Sequence, residues 1–473
     1  MTRIQRLRQN LIGDRAFYSQ VISILVPLII QNTVTNVVSL VDNVMIGSVG
    51  TLQMSAVAIV NQLLFIFNLC IFGGLAGAGI FAVQYAGAKD VKGIRYCFRM
   101  KNYIAVAMLL IAGVVFTVFP KELISMYLAE GTSAADIEAT LHYGVEYFLI
   151  MLVGLLPFAV SQSYGSTLRE MGETKLPMFA SILAILINLV FNYILIFGNE
   201  GLSFLWFGPM GVAGAAIATV LSRFVEAAVI VVFTHVKKNV FPFIIGAYKS
   251  LRIPFALFKD IVKKDAPLLI NEFLWSLGVA MTLQCYSVRG LDVVAAQNIS
   301  STIANLFNVI FLSMGNALAI VVGQHLGANE IKEAKLSVSR TMALSIASCF
   351  VMGALMALCA PFVPEIYNTS AEVKWMATEF LWIVSAMMPL FSFSHCCYFT
   401  MRSGGKTFIT MCFDCGFTWL ISFPVAFILA NFTAMPIVLL YLTVQSLEII
   451  KVVLGFILIK KGVWINNIVR SVD

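Results

Sequence analysis

The hydrophobic positions of this chain gather into long apolar stretches separated by short polar segments. About twelve can be placed, near residues 20–46, 53–83, 102–119, 141–166, 176–198, 209–235, 260–287, 294–325, 338–360, 374–401, 408–430 and 435–459. Crossing a bilayer as a helix takes about 20 apolar residues. Several stretches are longer, which predicts tilt or ends that project beyond the hydrocarbon. The pattern predicts an all-α integral membrane protein with about twelve transmembrane helices.

The pattern also repeats at an offset of 240 residues. "VPLIIQN" (26–32) matches "APLLINE" (266–272), and "QYAGAKDVK" (84–92) matches "QHLGANEIK" (324–332). Between them Gly50 matches Gly290, Ala56 matches Ala296, and Asn68 matches Asn308. "LREMGETK" (168–175) resembles "MRSGGKTF" (401–408) at a slightly smaller offset. Six spans per repeat is an even number, so both halves enter the membrane in the same direction. Two pseudo-symmetric six-helix lobes follow, related by an axis along the membrane normal, with a substrate path between them. The expected organisation is an N-terminal tail (1–19), a first lobe (20–236), a linker (237–259), a second lobe (260–461) and a C-terminal tail (462–473).

Composition strengthens this picture. The chain has 473 residues, is 60% hydrophobic and only 12% charged, with a mean hydropathy of +0.92, more apolar surface than a soluble protein could hide. The net charge of +7 reports topology and needs no nucleic acid to explain it. With the N-terminus inside, 26 of the 31 Lys and Arg fall in cytoplasmic segments, which places both termini there. Nine scattered cysteines show no framework spacing and are expected as free thiols.

Against this apolar background a few polar residues stand out. Asp42 lies inside the first span, and an ionised carboxylate in lipid costs several kcal/mol, so it should face a cavity or a partner. Asn32, Thr35, Ser39 and Asp42 recur at spacings of three and four, making one polar stripe, and Gln31 and Asn36 broaden it. Pro27 upstream removes a backbone hydrogen bond and favours a hinge, and Pro267 takes the same place in the second half. Asn188 and Asn192 share a face of the fifth span, and Thr219 follows in the sixth. Carboxylate, amide and hydroxyl oxygens together suit a hard cation such as Na⁺. Alternatively, Asp42 alone carries a proton, or the amides serve as interhelical glue.

In the second half Glu272 takes the place of Asn32, with Trp275 and Ser276 one turn on. An acid beside an aromatic ring is a binding surface for an organic cation. Glu146, Glu379 and Asp414 are weaker candidates. Arg223/Glu226 and Glu448/Lys451 are spaced i,i+3 and read as structural ion pairs.

Other signals fail on inspection. "RSGGKT" (402–407) lacks the upstream glycine of a phosphate-binding loop, with Thr400 in its place. "GGLAGAG" (73–79) reads as close helix packing through Gly73 and Gly77. "CFDC" (412–415) beside His395, Cys396 and Cys397 reads as apolar filler rather than a metal site. No nucleophile–base constellation appears, so the chain is not expected to be an enzyme.

"LVDNVMIGSVG" in the first span, "QYAGAKD" after the second, "LREMGETKLP" after the fourth, "GVAGAAIAT" in the sixth and "GQHLGANE" after the eighth resemble the multidrug and toxic compound extrusion (MATE) family. The resemblance covers nearly the whole chain and lies in the order and spacing of motifs that are individually soft. It implies an antiporter of a bacterial cell membrane that exports organic cations and amphipathic drugs in exchange for Na⁺ or H⁺ by alternating access, from two six-helix lobes in a V-shaped arrangement. It implies coupling-ion roles for Asp42, Asn188 and Thr219. Where relatives often carry Asp, this chain has Asn192. Where one subgroup carries Glu eight residues after the seventh-span proline, it has Trp275, with Glu272 one turn earlier. That subgroup's tenth-span acid has no match near His395. The coupling site is therefore expected in the first half. Asn32, Thr35, Ser39, Glu272, Trp275 and Ser276 are expected to line the substrate cavity. No cofactor is expected beyond the coupling ion, and the chain is expected to act as a monomer. The competing reading is a flippase for lipid-linked oligosaccharide, which favours a strongly basic central cavity. Few Lys or Arg lie inside these spans.

Overall fold

In hydrocarbon a chain must satisfy its backbone hydrogen bonds internally, so each apolar stretch becomes a helix. The computed structural model describes residues 11–128, 133–198 and 208–469; positions 1–10 of the expected N-terminal tail and 470–473 of the C-terminal tail lie outside them. The helices are α1 (Arg15–Gly47), α2 (Thr51–Gly87), α3 (Val91–Val118), α4 (Ala134–Val153 and Leu155–Glu170), α5 (Lys175–Phe197) and α6 (Gly211–Val236). After a linker come α7 (Phe255–Ser287), α8 (Leu291–Gly327), α9 (Ile331–Cys359), α10 (Ala371–Ser403), α11 (Thr407–Phe432) and α12 (Ile437–Lys460). Eleven are long and apolar enough to cross a membrane, and α4 makes a twelfth, bent by 44° at Gly154. The all-α, twelve-span architecture is the one the hydropathy pattern predicts.

Details depart from uniform α-helix. α11 widens into π-helical turns at Cys412–Gly416 and Thr418–Ser422. α12 breaks at Leu447. α1, α7 and α10 run through Pro27, Pro267 and Pro389. α3 begins well before its apolar run, because Arg95, Arg99 and Lys101 stay helical while bonding neighbouring groups. All nine cysteines are free thiols.

The chain forms two compact units. One comprises the described residues of Met1–Ile29, Ile80–Asp90 and Asp260–Asp473; the other comprises Ile30–Gly79 and Val91–Lys259. In the first, Val21 and Leu25 of α1 pack on Met314 and Val321 of α8. A further core joins Phe380 and Met388 of α10 to Tyr441 of α12. The second is built on Phe67 and Ile71 of α2, Phe116 of α3, Phe148 and Met151 of α4, and Ala215 and Ala216 of α6.

The sequence repeat is also a structural repeat. α2 and α8 end in the same turn: Lys89 has φ of 57° and Asn329 has φ of 60°, and these positions are 240 residues apart. Asp90 N–H donates to Tyr85 O at 2.9 Å, and Glu330 N–H donates to His325 O at 2.8 Å. The two ends lie against each other. A Cβ on Gly87 would fall on the Gln324 carbonyl, and one on Gly327 would fall on the Gln84 carbonyl, so only glycine permits this approach.

Each half ends in a segment folded back on its own unit. After α6, Arg95 Nε donates to Phe243 O (3.1 Å), Arg99 donates to Ala247 O (2.8 Å) and Gly246 O (2.9 Å), and Tyr103 donates to Leu251 O. Phe98 packs edge-on against Phe243 and Tyr164. After α12, Trp464 is almost fully buried. The buried Gln84 amide donates to Ser403 O (2.9 Å) and Asn466 O (3.1 Å) and accepts from Ile468 N–H (2.9 Å).

Candidate functional site

Helical periodicity sets four polar side chains of α1, α5 and α6 on facing surfaces, and these side chains meet. Asn192 Nδ2 donates to Asp42 Oδ1 at 2.7 Å. Asn188, one turn earlier on α5, accepts from Asn192 Nδ2 at 3.1 Å and donates to Thr219 Oγ1 at 3.3 Å. Turning the Asn188 amide over directs its nitrogen to both Asp42 oxygens (3.3 and 3.2 Å) and lets its oxygen accept from Thr219. Asp42, Asn188 and Thr219 stay linked in either orientation. Asn188 and Asn192 are buried, whereas Asp42 is half-buried. Asn192 Oδ1 is buried and accepts no hydrogen bond among the described residues. The site therefore offers one carboxylate, amide oxygens and a hydroxyl, one oxygen being unused.

The rest of the α1 stripe behaves differently. Thr35 and Ser39 are exposed and donate to carbonyls one turn back, Gln31 O (2.8 Å) and Thr35 O (2.9 Å). Asn32 is half-buried. Gln31 donates to Ser181 Oγ at 2.7 Å, and Ser181 donates in turn to Glu226. The expected Arg223–Glu226 ion pair does not form. Glu226 takes the Ser181 hydroxyl, while Arg223 donates to Gly154 O at 3.4 Å and lies over the Phe158 ring. The bend at Gly154 supplies the carbonyl that draws the guanidinium away.

In the other unit Glu272 is buried and accepts from Tyr398 Oη at 3.2 Å. The aromatic partner of this acid is a tyrosine of α10. Trp275 is 36% exposed, and Ser276 donates to Phe273 O at 2.8 Å. The expected Glu448–Lys451 pair is also replaced, because Lys451 Nζ contacts Asp414 Oδ1 at 2.8 Å. Asn271 Nδ2 holds Asp414 Oδ2 at 3.1 Å, and Asn271 Oδ1 accepts the Cys415 N–H at 3.2 Å. A lysine in a span needs an acid partner, and that signal, followed beyond its own helix, would have raised Asp414 above a weak candidate.

A family model described as MatE matches residues 27–194 and 267–428. The chain is 25% identical over 416 residues to the probable multidrug resistance protein YoeA of Bacillus subtilis, covering 87% of both chains. It is 24% identical over 422 residues to the probable multidrug resistance protein NorM of Thermotoga maritima, covering 87% of this chain and 86% of that protein. It superposes on an outward-facing multidrug resistance MATE family transporter of the MOP superfamily with a TM-score of 0.82 at 18% identity, covering 96% of this chain and 97% of the other. A mutant of the Vibrio cholerae MATE transporter VcmN gives a TM-score of 0.82 at 18% identity, over 94% and 97% of the two chains. The matched stretches take in both copies of the repeat, and with twelve spans and the same fold they leave one assignment: the chain belongs to the multidrug and toxic compound extrusion family, MatE.

Proposed function

We propose that the chain is a secondary active antiporter that exports organic cations and amphipathic drugs in exchange for Na⁺ or H⁺. The observation that carries this reading is the Asp42–Asn192–Asn188–Thr219 network. A carboxylate in a span, held by an amide and beside an unused amide oxygen, is a place for a small cation to come and go. A proton would sit on Asp42 itself. Na⁺ would take oxygens from Asp42, the amides and Thr219. The multidrug names of the relatives support a drug substrate, and the distribution of Lys and Arg supports cytoplasmic termini in a bacterial cell membrane.

The test uses inside-out vesicles, a fluorescent organic cation, and Na⁺ and proton gradients imposed separately. One gradient is expected to drive uptake, and Asp42→Asn is expected to abolish it. Uptake that persists in the Asn variant removes Asp42 from the coupling role. Failure of both gradients with several dyes overturns the antiport reading.

A further inference from the structure

Lys451 is held as an organic ammonium would be held. Its Nζ lies 2.8 Å from Asp414 Oδ1, 5.3 Å from the centre of the Phe413 ring and 5.9 Å from that of Phe417. A carboxylate flanked by aromatic faces is the general chemistry of ammonium recognition. The cage is built by α11, where the π-helical turn Cys412–Gly416 contains both Phe413 and Asp414 and Phe417 follows directly. It is braced by α7: Asn271 fixes the second Asp414 oxygen and the Cys415 N–H, and Trp419 Nε1 donates to Leu274 O at 2.9 Å. Both carboxylate oxygens are therefore committed, one to the brace and one to the ammonium. The cage is not sealed, since the Lys451 and Asp414 side chains keep 14% and 16% of their surface.

We propose that Lys451 is a tethered cation occupying an ammonium-binding cage of Asp414, Phe413 and Phe417, and that primary alkylammonium and arylalkylammonium compounds bind there by displacing it. This deepens the organic-cation reading above and rests on it for its role in transport. Tethering gives the lysine a high effective concentration, so it weakens every competing cation and sets a threshold for entry. Glu272 lies on α7 beside the bracing Asn271 and takes the Tyr398 hydroxyl, leaving the direct contact with the ammonium to Asp414.

The experiment measures binding of benzylammonium to the purified full-length protein by calorimetry, with no ion gradient present. Lys451→Met keeps most of the lysine stem's volume and removes the competing charge. It is expected to bind benzylammonium at least about tenfold more tightly than wild type, the loss of an intramolecular competitor. Asp414→Asn combined with Lys451→Met is expected to lose that gain. In Lys451→Ala, a melting temperature lowered by the substitution is expected to recover with ethylammonium and not with NaCl of equal ionic strength. Equal affinity of Lys451→Met and wild type overturns the proposal, as does a gain that survives Asp414→Asn. If Lys451→Met yields no folded protein, Lys451→Gln takes its place, with a gain in benzylammonium affinity of about tenfold expected and unchanged affinity overturning the cage. Because no transport is measured, failure of the antiport reading leaves these outcomes intact.

Discussion

Asn192 and Asp42, 150 positions apart in the chain, share a hydrogen bond of 2.7 Å from amide to carboxylate. A hydrogen bond to a charged group contributes about 1.5–3 kcal/mol. Asn192→Leu removes it and leaves the acid without this donor. Gradient-driven uptake of a fluorescent cation, corrected for protein amount, is expected to fall by about tenfold or more. Thr219→Val, which touches the network only through Asn188, is expected to lose less. An Asn192→Leu protein working at the wild-type rate would remove that residue from the site.

Lys101 is fully buried, with its ammonium on Ser166 (2.8 Å), Thr167 (3.2 Å) and Glu170 (2.5 Å). Breaking a buried ion pair by removing one member costs about 3–5 kcal/mol. Lys101→Met is expected to lower the melting temperature in detergent markedly. Adding Glu170→Met is expected to restore part of the loss, since Glu170 also interacts with Arg169. A double variant no more stable than the single would show that the loss of Lys101's charge beside Glu170 is not the cause.

Glycine substitutions should divide by what a methyl group meets. At Gly87 and Gly327 it meets a backbone carbonyl that cannot swing aside, whereas at Gly113 it meets nothing within 4 Å. Gly87→Ala and Gly327→Ala are expected to cost upwards of about 1–3 kcal/mol, as overpacking does. Gly113→Ala is expected to gain up to about 1 kcal/mol from helix propensity. Thermal unfolding of the three variants side by side is the check, and equal melting temperatures would contradict the close approach.

The segment after α12 should matter for stability out of proportion to its length. Trp464→Ala is expected to cost about 3–5 kcal/mol, the usual range for a buried aromatic. Gln84→Leu loses three hydrogen bonds to this segment and its surroundings. It is expected to free the chain after Lys461 to limited proteolysis. A Gln84→Leu protein as resistant as wild type would mean that Trp464 and the Asn466 and Asn467 amides, on Gly404 O and Gly327 O, suffice to hold the segment.

What the sequence could show follows from the range of each interaction. The spans were legible because lipid imposes one rule on every stretch of chain. Asp42, Asn188, Asn192 and Thr219 were legible because helical spacing puts the two amides on one face and a lone acid in lipid demands company. The i,i+3 rule failed for Glu226 and Lys451. In lipid each charge seeks the best partner in three dimensions, and the bend at Gly154 and the π-helical turn at Asp414 supply partners that no regular spacing predicts. Glu272 stands out in the sequence as an acid within a span, but its hydrogen-bond partner Tyr398 lies on α10, 126 positions away.

The reciprocal contact of Gly87 with Gln324 and of Gly327 with Gln84 has a consequence for ancestry. Each copy of the motif carries both the bare glycine and the carbonyl that lies against the other glycine. Such a contact is self-complementary, the kind that joins identical subunits around a twofold axis. A polypeptide of one repeat would possess everything needed to make it with a second copy of itself. Fusion of two such genes would keep the contact while releasing the surrounding positions from identity. Gln84 and Gln324 remain the same residue, and the Gln84 side chain also holds the segment after α12.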